Sequence, residues 1–256
     1  MSRSMMRRVT GAAALLVAGI AVRADAQSGS GGGYLFGPPQ AQVTIRAGYA
    51  LPRASSDLFN ESFDQFSLKK SSFGAPDLGA EFAIRLAPRL DLTLGAEYAG
   101  RKTDSDYRHF EEQGQPIRQT TTFQRVPLTA GLKAYLAPRG RSIGNLAWIP
   151  SHISPWVGAA AGMSWYRFVQ DGDFVGPATG TPPTYPIYND RLESSGWGFA
   201  MQGMGGVDVS VSPRMAITAD ARYTNAKASL DQRFFSGYQD LDLSGVSFAL
   251  GLTFRL

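Results

Sequence analysis

The pattern that organises this chain is an alternation of apolar and polar residues that stops and resumes eight times. It is clearest at Leu86–Tyr98. There Leu90, Leu92, Leu94, Ala96 and Tyr98 alternate with Asp91, Thr93, Gly95 and Glu97 behind a Pro88-Arg89 turn. One face is wholly apolar and the other polar or charged, the mark of a strand with a different solvent on each side. The unit returns at Val211–Tyr223, where Pro213, Arg214, Thr218, Ala221 and Tyr223 repeat Pro88, Arg89, Thr93, Ala96 and Tyr98. The first strand keeps the later half of the spacing in Thr44, Ala47 and Tyr49.

Followed along the chain, the alternation predicts strands at about residues 42–51, 74–86, 90–101, 120–136, 155–168, 195–211, 215–223 and 243–256. Four longer polar segments fall between them, at residues 52–72, 102–119, 169–194 and 225–242, and are read as outer loops. The other ends are joined through Ala87-Pro88-Arg89, Ala137-Pro138-Arg139 and Ser212-Pro213-Arg214. Proline suits such turns because its φ is preset and it takes no donor from the ladder. After the second of these the segment 140–154 is longer and carries Trp148, which is placed at the inner interface.

Each apolar face predicts a lipid-facing wall. About ten residues at roughly 3.3 Å each, tilted by about 40°, rise about 25 Å, the height of the apolar band on a membrane-spanning barrel. An even number of strands, with alternating short and long connections, predicts an all-β, antiparallel, up-and-down transmembrane β-barrel of about eight strands. Tyr49, Tyr98, Trp165, Phe199 and Tyr223 fall on the outward face near the loop ends, a candidate aromatic girdle at the headgroup level.

Composition adds an address. The N-terminus has Arg3, Arg7 and Arg8, an apolar run from Val9 to Val22, and Ala24-Asp25-Ala26 in A-x-A spacing. That predicts a secretory signal peptide over residues 1–26, with the mature chain starting at Gln27. Residues 27–41 read as a flexible Gly/Ser/Pro-rich lead-in, and 42–256 as the barrel. Four of the 25 basic and one of the 21 acidic residues lie in this leader, so the remainder is almost neutral, which argues against nucleic acid as a partner. The chain has no cysteine, hence no disulfide framework.

These features together resemble the small eight-stranded bacterial outer-membrane proteins of the OmpA/OmpX type, grouped with opacity-like surface antigens. The resemblance spans about residues 42–256 and rests on the leader, the alternating strands, the tyrosine girdle and the closing strand V-S-F-A-L-G-L-T-F-R-L. It implies outer-membrane lipid as surroundings, insertion by the barrel assembly machinery through the C-terminal strand, and surface ligands met by the outer loops. Members usually end in an aromatic residue, whereas here Phe254 is third from the end and Leu256 is last.

The same parity assigns the chemistry. Arg46, Glu81, Arg85, Asp91, Glu97, Arg125, Lys133, Asp208, Asp220, Arg222 and Arg255 point inward. Charges of both signs in a narrow lumen predict cross-strand ion pairs, because a buried unpaired charge is strongly unfavourable. Glu97 and Arg222 hold matching places in the two best repeats, on opposite walls, and are expected to meet and plug the lumen. The histidines, His109 and His152, lie outside any nucleophile or metal spacing, and no phosphate-binding glycine loop is present. No catalytic, cofactor or metal residues are assigned, and the chain is read as a non-enzymatic surface or structural protein with a largely plugged lumen. The alternatives are a narrow porin-like or apolar-solute channel and a lipid A-modifying or proteolytic barrel enzyme.

Overall fold

The computed structural model describes residues 35–144, 146–181 and 184–256. The expected signal peptide and cleavage site, and the lead-in as far as residue 34, lie outside the described residues. Eight long strands follow in order: β1 (Ala41–Pro52), β2 (Ala75–Ala87), β3 (Leu90–Glu112), β4 (Gln115–Tyr135), β5 (Ile153–Val175), β6 (Ile187–Ser210), β7 (Met215–Ala228) and β8 (Gly245–Arg255). Each is antiparallel to the next, and β1 pairs with β8 over Gln42↔Arg255 to Pro52↔Gly245, so the sheet closes on itself. Closure removes the free edges that an open sheet of this size would expose.

The two faces differ completely. Outward positions such as Ile45, Leu78, Leu94, Leu132, Val157, Met201, Ile217 and Leu250 are exposed, whereas Thr44, Glu81, Thr93, Lys133, Gln202, Thr218 and Thr253 are buried. An exposed apolar wall around a buried polar interior inverts the water-soluble arrangement and is stable only with hydrocarbon outside.

The strands run further than the apolar alternation. Residues 102–119 form no loop: β3 and β4 continue as a ribbon to a two-residue turn at Gln113-Gly114, both at positive φ (51° and 74°). That is the sign combination of a type I′ hairpin, with glycine in the second place. Likewise residues 169–194 are mostly strand, with β5 and β6 paired as far as Val175↔Ile187. Above the lipid both faces of a ribbon meet water or loop, so no apolar stripe marks it, while threonines such as Thr120–Thr122 suit its pleat. β7 runs on to Ala228, past the expected loop boundary at 225.

Residues 52–72 are not a plain loop either. They carry the helix α1 (Asp57–Gln65), with Asp57 in its first turn and Leu58, Phe59 and Ser62 on its buried side, followed by a 3-10 turn at Lys70–Phe73. An acid in the first turn complements the positive helix end. The Ala137-Pro138-Arg139 connection is also corrected. It leads into an inner hairpin, Gly140–Ile143 paired with Ala147–Pro150, and is no tight turn.

Candidate functional site

The lumen of an eight-stranded barrel is only just wide enough for side chains to fill, and here charges fill its middle. Arg46 on β1 bonds Glu97 on β3, and its Nη1 donates to Asp220 Oδ1 on β7 at 3.1 Å. Arg222, also on β7, donates from Nη2 to Glu81 Oε2 at 2.7 Å, from Nε to Asp220 Oδ1 at 3.0 Å and from Nη1 to Glu97 Oε1 at 3.4 Å. The Gln202 amide donates to Glu97 at 2.9 Å. Two arginines thus cross the lumen and tie β1, β2, β3 and β7 together, and Gln202 adds β6. Gly79 makes the room: a Cβ there would lie 2.5 Å from Arg46 Nε.

A second cluster lies towards the turn end. Asp208 accepts from Lys133 Nζ at 3.4 Å, Tyr135 OH at 3.2 Å, Trp156 Nε1 at 3.1 Å and Thr218 Oγ1 at 2.9 Å. The Lys133 ammonium sits 4.0 Å from the centre of the Trp156 ring, an arrangement that stabilises a desolvated cation. Asp91 accepts from Arg139 Nη1 at 2.8 Å and from the Gln42 amide at 3.0 Å. Arg255 donates to Ser210 Oγ at 2.8 Å and lies over the Trp148 ring.

The loop end is closed by different chemistry. Phe59 of α1 packs edge-on against Phe73, Phe123 and Phe168, with centroids 5.0, 5.4 and 5.8 Å away. Phe168 meets Phe235 of the last loop at 5.9 Å. Leu58, Leu68, Leu230, Leu241 and Leu243 complete a buried apolar plug. Arg125 joins the two zones, its guanidinium donating to the Leu243 carbonyl at 2.6 Å.

The inward residues named from parity therefore fall into two ion-pair clusters, with three departures: Arg85, Arg125, and Arg255, whose side chain bonds only Ser210 and the Ser212 carbonyl. Arg85 is half-buried at the turn-end rim, where its only side-chain hydrogen bond among the described residues is to the Ala87 carbonyl at 3.4 Å. Arg125 bonds a carbonyl and no carboxylate. Asp77, Arg139 and Trp156 were missed, although all three are buried. Asp77 shares the odd-numbered parity of Glu81 and was findable; Arg139 was concealed by its place in a turn motif. The girdle residues Tyr49, Tyr98, Phe199 and Tyr223 are exposed on the outer wall, and Trp165 pairs across strands with Trp197. The hydroxyls of Tyr49 and Tyr98 accept from Arg101 and Gln124, both at 3.3 Å. His109 and His152 are exposed, and neither side chain has a hydrogen bond among the described residues.

An apolar outer wall, a polar filled lumen and eight antiparallel strands define the class: a small, outer-membrane-type transmembrane β-barrel. Solved structures of similar architecture include Ail of Yersinia pestis in complex with the heparin analogue sucrose octasulfate. It is 14% identical, with a TM-score of 0.41, over 85% of this chain and 99% of Ail. Neisserial surface protein A is 12% identical with a TM-score of 0.45 over 84% and 96% of the two chains. OprG from Pseudomonas aeruginosa is 15% identical with a TM-score of 0.46 over 87% and 99%. No protein-family model matches the chain, and no curated protein does.

Proposed function

We propose that this protein resides in a bacterial outer membrane as a closed, non-conducting barrel that carries its function on the loop end, where the ribbons and the plug form a surface for contact with external partners. The observation that supports this reading is the doubly filled interior. An ion-pair lattice occupies the middle of the lumen and an aromatic plug its outer mouth; the cavity between them, beside Asp77, Glu97 and Arg125, holds about 10 Å³, room for one water. The signal peptide, cleaved before Gln27, delivers the chain to the periplasm, and the closing strand engages the assembly machinery there.

Planar-bilayer recording tests the central point. The wild-type barrel is expected to show no stable single-channel steps, whereas persistent conductance would replace this reading with the narrow channel. Orientation is tested by single cysteines placed beside Gly180 and beside Arg89. An impermeant thiol reagent on whole cells is expected to label the first and spare the second.

A further inference from the structure

A Pro-Arg pair stands at each of the three turn-end connections, and neither the lumen nor the plug uses the first of them. At the turn end two copies come together: Pro88-Arg89 and Pro138-Arg139 line one cavity of about 250 Å³, with Arg85 and Trp148 also on its wall. The inner hairpin holds Trp148 there. Its backbone N–H donates to the Leu35 carbonyl at 2.7 Å, and Arg255 covers its ring. The Pro38-Pro39 pair also lines the space, so much of the wall is backbone-restricted.

The charge in this cavity is not balanced. Arg139 is committed to Asp91 at 2.8 Å. Among the described residues neither Arg85 nor Arg89 meets a carboxylate within hydrogen-bonding range, and Arg89 is exposed. Arg85, which stands across from Asp91 without bonding it, and Arg89 therefore bring two guanidiniums with no ion-pair contact to a space lined by proline and indole. Most lumen charges a few residues away are ion-paired, with Arg125, Arg255 and Asp77 as the exceptions, and Arg85 and Arg89 differ from these in lining an open cavity.

We propose that the cavity binds a phosphate group carried on a short organic body, with Arg85 and Arg89 gripping the phosphate and Trp148 and the prolines packing the body. Planar guanidinium forks match phosphate oxygens two at a time. A phosphate monoester brings nearly two negative charges near neutral pH, which answers two free arginines better than one carboxylate does. The volume exceeds that of a bare phosphate, leaving room for several carbon atoms. Two sources share this chemistry: a lipid whose phosphate sits at the membrane surface, since Leu86 and Leu90 flanking the turn face the hydrocarbon, and a soluble phosphate ester.

Glycerol 3-phosphate titrated calorimetrically into the full mature chain in neutral detergent is the soluble arm. Retention of phosphatidic acid through purification, read by native mass spectrometry, is the lipid arm. Arg85→Gln and Arg89→Gln are the variants; neither breaks an ion pair, so both are expected to fold. Arg214→Gln is the control, because it removes the same arginine from the third Pro-Arg turn, outside the cavity. Each variant is expected to weaken whichever probe binds by roughly tenfold or more, with the control unchanged. Binding in the soluble arm identifies an ester, and retention in the lipid arm alone identifies a lipid headgroup. The proposal is overturned if neither probe binds the wild type, or if Arg214→Gln weakens binding as much as the other two.

Discussion

Arg222 and Phe59 are equally hidden from water and are buried by opposite means. Arg222 lies inside the closed ladder, where every neighbouring strand is already paired, and it is held by three carboxylates from three strands. Phe59 lies outside the ladder, on a helix in a loop, and is held by four other aromatic rings from the first outer segment, β4 and β5. The barrel backbone positions most of these charges so that they meet a partner without further ordering of the chain. The loops have no such frame, so non-directional burial of apolar surface orders them. The lumen is therefore specific and intolerant of charge changes, while the plug is cohesive and more tolerant of changes of shape.

Breaking the lumen should have the largest effect. Glu97→Arg sets a third arginine against Arg46 and Arg222 and is expected to cost at least about 3–5 kcal/mol in urea unfolding from liposomes. Adding Arg222→Glu should fail to restore stability, because the new glutamate would face Glu81 and Asp220; full rescue would show that Glu97 and Arg222 act as an isolated pair. In the plug, Phe59→Ala is expected to cost about 3–5 kcal/mol. The loss should appear as faster proteolysis of the outer segments, with barrel unfolding little changed. If barrel and loops melt together in both variants, the two zones are one cooperative unit and the contrast fails.

The outer wall offers a sharper control. Leu94→Arg, placed in hydrocarbon, should cost about 2–4 kcal/mol. Thr93→Arg, one residue away and inside, should instead disturb the ion-pair lattice and shift with salt far less than a surface charge would. Equal effects from both would mean that the assigned faces are wrong.

The smallest expected effect is on pH. Burial pushes the Asp242 carboxyl up, but hydrogen bonds from Ser55 Oγ at 2.6 Å and from the Ser244 N–H at 3.0 Å, with Arg53 nearby, more than offset this and hold it below the ordinary value. A carboxyl lowered on folding stabilises the native state above its unfolded value near 4, and that contribution is lost as pH falls through the folded value. Loop proteolysis should thus be unchanged between about pH 7 and pH 5 and should increase below about pH 4. Asp242→Asn should abolish that increase.

The barrel is legible in the alternation alone. Leu90 to Tyr98, Met215 to Tyr223 and their counterparts alternate because each strand separates hydrocarbon from a polar interior, and that difference is written into every pair of adjacent residues. The inward set from Arg46 to Arg222 follows from the same parity, which Asp77 shares. The plug, the place of Arg139 and the cavity between two Pro-Arg turns arise from contacts between distant segments, and the long ribbons from pairing that no apolar stripe marks. Phe123 and Phe168 share the inward parity of β4 and β5, but Phe59 and Phe235 sit in mainly polar loop segments, and the four become a core only once the closed barrel brings those loops over one mouth. Such burial depends on contacts between distant segments, and no local period records it.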